Sequence, residues 1–137
     1  MYKELPIKVE VIVFKREDNF CSFLLLKRSP EDGGFWQPIT GTLEMEESIR
    51  QCMLRELEEE TGIREILNVS EEIHRFSWRK KDYTVVEMVY GVEVPHQDIT
   101  LSPEHTEYRW CSFDEAMQLL EKENNKNAFL AFKSKLL

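Results

Sequence analysis

"GTLEMEESIRQCMLRELEEETGI", residues 41–63, is the stretch on which the fold turns. Glu56, Glu58, Glu59 and Glu60 crowd together there, just ahead of Gly62. Acidic runs of this kind are ordinarily solvated helix faces. Placed on a helical wheel at ~100° per residue, Ile49, Cys52, Met53 and Leu57 share one arc, which should meet a core. The periodicity predicts a helix over Glu46 to Glu60, with Gly62 just beyond it as a left-handed cap. Glu58 and Gln51 point away from the apolar arc. Glu56 and Glu60 fall inside it, with Glu59 at its margin. Ionised carboxylates buried without partners are costly and repel one another. Two arrangements satisfy the pattern. The carboxylates converge on a hard, oxygen-seeking cation such as Mg²⁺ or Mn²⁺, or they reach water beyond a sheet edge, paired with Arg55 and other bases.

The flanks predict a sheet around this helix. Ile7–Lys15 and Phe20–Arg28 read as strands joined by a turn, the second one buried. Ser29–Gly34 is a break, and "FWQPITG" is short and extended, with Pro38 and Gly41 suiting an edge. Between Ile66 and Val94 two long strands flank a "KKD" hairpin connection. "TEYRWCSF" is a further strand. Ser112 and Glu115 have capping-box spacing and open a helix. "NNKNAFLAFKSKLL" closes the chain as another helix, whose Phe129, Leu130 and Phe132 are expected to pack on the sheet. Strands interspersed with helices predict a sheet between helical layers.

Composition narrows the classes. A chain of 137 residues with 42% apolar residues suits one domain, residues 1–137, with one core. A net charge of −8 argues against a nucleic-acid binder, which needs a basic face. It leaves room for a phosphorylated small molecule, because cations can sit between two acidic partners. Cys21, Cys52 and Cys111 are odd in number and widely spaced, which argues against a disulfide framework or zinc site; Cys52 is expected in the core. "MYKELPIKVEV" lacks the long apolar run of a leader, and no segment suits a bilayer span. A cytoplasmic enzyme or binding module is the expectation.

The acidic helix belongs to a longer pattern. Gly41, Glu47, Arg55-Glu56, Leu57, Glu59-Glu60, Gly62 and Ile63 fill every defined position of Gly-x5-Glu-x7-Arg-Glu-U-x-Glu-Glu-x-Gly-U, with U aliphatic. The stretch resembles the Nudix box in full. The resemblance implies an α/β/α sandwich with a mixed sheet, and a loop-helix-loop that hydrolyses nucleoside diphosphates linked to another group. It implies that Glu56, Glu59, Glu60 and the Gly41 carbonyl hold Mg²⁺ (or Mn²⁺). Arg55 would orient one of those glutamates, Glu47 would steady the loop and helix start, and Gly62 would be structural. In this chemistry a divalent cation offsets the charge that shields a pyrophosphate link, and a carboxylate takes the proton of the attacking water. Glu56 and Glu59 are the candidates within the box for that base, with a later-loop acid a further one.

Substrate expectations come from outside the box. "FWQPITGTLE" and "SPEHTEYRW" resemble segments of bacterial dihydroneopterin triphosphate pyrophosphatases, which also take deoxynucleoside triphosphates such as dATP. By that likeness Glu104 reaches the metal site from a loop, with Glu107 a weaker competitor. Arg28 and Thr40 would contact the triphosphate, Trp36 would stack on a ring unless it packs in the core, and Gln37 would read a heterocycle edge. Asn124 and Asn125 begin the last helix, where substrate contact is conceivable. The expected reaction is Mg²⁺-dependent cleavage of a nucleoside triphosphate or dihydroneopterin triphosphate to monophosphate and pyrophosphate. "EHTEYRW" also occurs in dinucleoside polyphosphate hydrolases, the second expectation. A Nudix-fold domain that only binds a nucleotide is the alternative of another class, and such domains commonly lack box carboxylates that this chain keeps.

Overall fold

The structure is a computed structural model and describes residues 4–137. Met1–Lys3, which open the stretch read as lacking a leader, lie outside the described residues. Eight strands form one mixed sheet: β1 (Glu4–Glu17), β2 (Phe20–Arg28), β3 (Trp36–Gln37), β4 (Ile39–Glu44), β5 (Asn68–Val69), β6 (His74–Lys80), β7 (Tyr83–Glu93) and β8 (His105–Cys111). Three α-helices accompany it: α1 (Ile49–Thr61), α2 (Phe113–Leu119) and α3 (Glu123–Leu136).

β1 organises the sheet. One edge runs parallel to β7, from Ile7↔Val86 to Phe14↔Glu93. The other edge is shared. Its early residues pair with β4 (Val9↔Gly41, Glu10↔Thr40, Val11↔Ile39), and its last residues pair with β2 (Phe14↔Phe23 to Glu17↔Phe20). β4 therefore parts from β2 along β1. β2 continues to β3 and β8, and β7 carries β5 and β6.

The two-residue strand period sorts β1 between two layers. Val9, Val11 and Val13 pack with Cys52, Met53 and Leu57 of α1. Ile12 and Phe14 face the other way, against Ala128, Phe129 and Phe132 of α3 and Ala116 of α2. The Phe14 and Phe132 rings meet edge-to-face with centroids 4.9 Å apart. Phe129 and Phe132 cover the sheet as expected, whereas Leu130 stays exposed. All three cysteines are free, and Cys52 is core. Among the described residues no helix is long and apolar enough to cross a membrane.

α1 begins three residues later than its periodicity predicts. Ser48 is the N-cap, accepting from the Gln51 backbone N–H while the Gln51 side chain accepts from Ser48 N–H. Ahead of it Glu46 has φ 67°, and Glu47 accepts from the Glu44 N–H, so these residues form a turn and not a first helical turn. Gly62 caps the other end at φ 74°, as expected. The Ser112–Glu115 capping box opens α2, and Lys81-Asp82 turn the β6–β7 hairpin.

Candidate active site

Arg55 is the hub of the loop-helix-loop. Its Nε and Nη2 donate to the two Glu47 oxygens at 2.6 and 2.9 Å, a bidentate grip. Nη1 donates to Glu56 Oε1 at 2.6 Å and reaches Glu59 at 3.4 Å; Nη2 also donates to the Thr42 carbonyl. The helix turn i to i+4 and the cap-held loop before Ser48 bring these groups onto one cation. The guanidinium holds the Glu47 carboxyl down at about 2, with the Glu44 N–H assisting. Glu47 thus fastens the loop to the helix.

Helical position separates the glutamates as the wheel predicts. Glu58 is exposed and pairs with Arg64, and Glu59 is 56% exposed. Glu60 is buried, and Glu56 nearly so. Glu56 lies on Gly41: a Cβ there would stand 2.1 Å from Glu56 Cγ and 2.3 Å from Cδ, so the position takes no side chain while Glu56 stays in place. Burial pushes the Glu56 carboxyl up to about 7, with Glu59 and Glu60 adding repulsion and Arg55 opposing it.

Glu60 lies against the loop before β8. Its Oε2 accepts from Ser102 Oγ at 3.2 Å and lies 2.8 Å from His105 Nδ1. That nitrogen makes no well-aligned hydrogen bond despite the short distance. Despite burial, His105, Glu104 and Ser102 hold the Glu60 carboxyl below its usual range. Glu104 is pushed upward, chiefly by the Glu60 charge beside it. Glu60, Glu104 and His105 bring ligand atoms within 4.8 Å of one another. Glu107 points elsewhere, 3.6 Å from Lys27.

These donors suit a hard divalent cation. Carboxylate oxygens predominate, and Glu56 resists ionising where nothing but Arg55 offsets its neighbours' charge. His105 was not singled out from the sequence, although it stands beside Glu104 in the quoted segment. Only the tertiary contact with Glu60 reveals its part.

Gln37 links this cluster to a cleft of about 410 Å³ where β4 parts from β2. Its Nε2 lies 3.2 Å from His105 Nε2. Arg28 and Thr40 line the cleft with Gln37, as do Asn124 and Asn125 at the start of α3. Lys8 and Lys122 add positive charge, and Phe35, Phe76 and Trp78 add aromatic walls. Trp36 is not among the lining residues. It packs beside the α2–α3 layer, with Arg109 and Lys27 over its ring. Strand alternation turns Trp36 and Gln37 to opposite sides. A second cleft of about 320 Å³ adjoins the first, sharing Lys8 and Trp78 and adding Lys80 and Tyr83.

Residues 5–132 match the NUDIX domain family. The chain is 38% identical over 115 residues to an octanoyltransferase of Myxococcus xanthus, covering 82% of this chain but spanning only 32% of that relative's length. It is 37% identical over 127 residues to the asymmetrical bis(5'-nucleosyl)-tetraphosphatase of Rattus norvegicus, covering 85% of each chain. A dihydroneopterin triphosphate diphosphatase of Escherichia coli is 27% identical over 145 residues, covering 96% of this chain and 94% of the relative. Among solved structures, a Caenorhabditis elegans Ap4A hydrolase binary complex superposes with a TM-score of 0.83 at 21% identity, covering 95% and 96% of the two chains, which shows the shared fold.

Proposed function

Since the chain belongs to the Nudix family, as a hydrolase acting on pyrophosphate bonds of nucleotides, we propose that residues 1–137 work as one domain on a dinucleoside polyphosphate, with Mg²⁺ as the cation. The observation that carries this is the continuity of the site. The carboxylate cluster runs through His105 and Gln37 into a cleft with Lys8, Arg28 and Lys122. The adjoining cleft extends it past Trp78 to Lys80 and Tyr83. That length, with cations along it and aromatic walls, suits a polyphosphate bearing a ring at each end. The rat tetraphosphatase, at 37% identity over most of both chains, supports the same substrate class.

Glu56, Glu59, Glu60, Glu104 and the Gly41 carbonyl would hold the cation, which supplies positive charge against the phosphate oxygens during attack. Arg55 keeps Glu56 and Glu47 in place and does not touch the substrate. Glu56 or Glu59 accepts the proton of the attacking water. The buried Glu56 carboxyl is tuned towards neutrality, whereas Glu59 has open access to solvent. Arg28 and Thr40 bind phosphate, and Gln37 carries the contact between His105 and the cleft.

A second reading, a nucleoside triphosphate or dihydroneopterin triphosphate as substrate, is favoured by the Phe35-Trp36-Gln37 segment and by the Escherichia coli relative. Initial rates with diadenosine and diguanosine tetraphosphates, and with dATP, 8-oxo-dGTP and dihydroneopterin triphosphate, with Mg²⁺ and with Mn²⁺, separate the two. Turnover of none of them would leave a nucleotide-binding module. Glu60→Gln should lower turnover by orders of magnitude in a folded protein, and near-normal activity would refute its cation role.

A further inference from the structure

Glu10 brings a carboxyl into the buried layer of β1 as Glu60 does into that of α1. It lies between Lys8 and Ile12 on the α3 side of the sheet, is wholly buried, and neither carboxyl oxygen finds a partner that donates to it. What it meets is another carboxyl. Glu87, on the neighbouring strand β7, is 5% exposed and lies against Glu10. Register places Lys8, Glu87 and Phe76 in one row across β1, β7 and β6, and all three line the larger cleft. Thr40, the cross-strand partner of Glu10, lines it too. Trp78 Nε1–H donates to Glu87 Oε1 at 3.0 Å.

Burial pushes both carboxyls upward, and the Glu87 charge beside it raises Glu10 furthest. The Trp78 N–H, Lys8 and the Glu10 contact oppose that rise at Glu87, so Glu87 holds negative charge the more readily of the two. A carboxylate has about four acceptor positions. The Trp78 N–H takes one, and Glu10 covers another. The remaining positions belong to a carboxylate edge in the floor of a cleft walled by aromatic rings, where an unfilled acceptor is costly.

We propose that Glu87, backed by Glu10, is the specificity-determining carboxylate of the cleft, accepting two adjacent N–H donors from a 2-amino-4-oxopyrimidine ring, the edge that guanine and pterins share. Adenine presents one donor beside a ring-nitrogen acceptor, which would face a carboxylate lone pair to lone pair. Asn125, buried at the start of α3 on the same cleft, offers an amide to the oxo group. The assignment rests on the nucleotide-hydrolase reading only in taking this cleft as the seat of the substrate ring.

Binding without cation or hydrolysis tests it. Equilibrium dialysis would compare guanosine, inosine and adenosine monophosphates, and ¹H–¹⁵N NMR would follow the Trp78 indole N–H, assigned through Trp78→Phe. Guanosine monophosphate should bind about tenfold or more tightly than adenosine monophosphate, with the inosine compound, which lacks the 2-amino group, between them. Guanosine monophosphate or neopterin should shift the Trp78 resonance, and the one that binds tighter names the source of the ring. Glu87→Gln should abolish the preference. Glu10→Gln should keep it, since the amide keeps the contact with Glu87 and leaves the Glu87 carboxylate in place. Equal binding of the guanine and adenine compounds, a Trp78 signal unmoved by both guanine and pterin, or a folded Glu87→Gln that keeps the preference would overturn the proposal. Should Glu87→Gln fail to fold, the three wild-type affinities decide. A base preference without hydrolysis of any substrate would overturn the enzymatic reading and leave this one standing.

Discussion

Arg55→Ala should unfasten the loop-helix-loop, and its cost can be worked from the structure. Arg55 holds Glu47 through two hydrogen bonds, at 2.6 and 2.9 Å, and Glu56 through one at 2.6 Å. The Glu47 carboxyl falls from 4.5 to about 2, chiefly through Arg55. Taken whole, such a shift corresponds to roughly 3 kcal/mol. Glu47 is 12% exposed but belongs to a surface turn, so solvent screening leaves about 1–2 kcal/mol. Losing the Glu56 and Thr42 hydrogen bonds adds on the order of 1 kcal/mol. The variant should therefore lose about 2–3 kcal/mol, which lowers the melting temperature by roughly 10 °C for a domain of this size. Thermal melts by circular dichroism read the shift. A double-mutant cycle with Glu47→Gln isolates the pair. The pH dependence fixes the sign. Glu47 titrates lower in the folded than in the unfolded chain, so its contribution is complete above 4.5 and disappears as pH falls towards about 2. The gap between wild type and Arg55→Ala should close over that same window. A melting shift under about 2 °C, or a coupling below about 0.5 kcal/mol, would refute Arg55 as the fastener.

Two further outcomes follow from the same site. Gly41→Ala places a methyl 2.1 Å from Glu56 Cγ, so Glu56 must leave its seat; Mn²⁺ affinity by electron paramagnetic resonance should fall about tenfold or more with the fold retained, and an unchanged affinity would show that Glu56 is not needed there. Cation binding near neutral pH should release a proton, because the Glu56 carboxyl lies at about 7 and must ionise to bind. Calorimetry in two buffers of different ionisation heat reads this, and identical heats would refute it. The corresponding stability sign is opposite to that of Glu47. With its folded value raised, Glu56 contributes fully below 4.5, and the cation-free protein loses that contribution as pH rises through about 7.

Much of the fold and the loop-helix-loop was legible in the chain because both are local. Strand alternation, the Ser112–Glu115 cap and the left-handed Gly62 depend on neighbours within a few residues. The division of the acidic run also follows from helical phase, with Glu58 in water and Glu60 buried. The start of α1 was misplaced because Glu47 serves Arg55 across eight residues, a choice that propensity does not register. Glu10 is not marked by the same logic, because Lys8 precedes it on its face of the strand and its burial depends on α3 covering the sheet.

The sequence by itself determined that carboxylates gather on one helix, that Gly41 and Arg55 attend them, and that a sheet lies beneath. Those are matters of spacing along a regular backbone. Only the tertiary structure decided which distant groups meet them. His105 comes to Glu60 from the start of β8, Gln37 joins it to the cleft, and Trp36 turns to the opposite side. Glu10 and Glu87 become partners only because β1 and β7 run parallel in one register. Such contacts are set by strand order and by where β4 parts from β2, and strand order is a property of the whole packed sheet and not of any one segment.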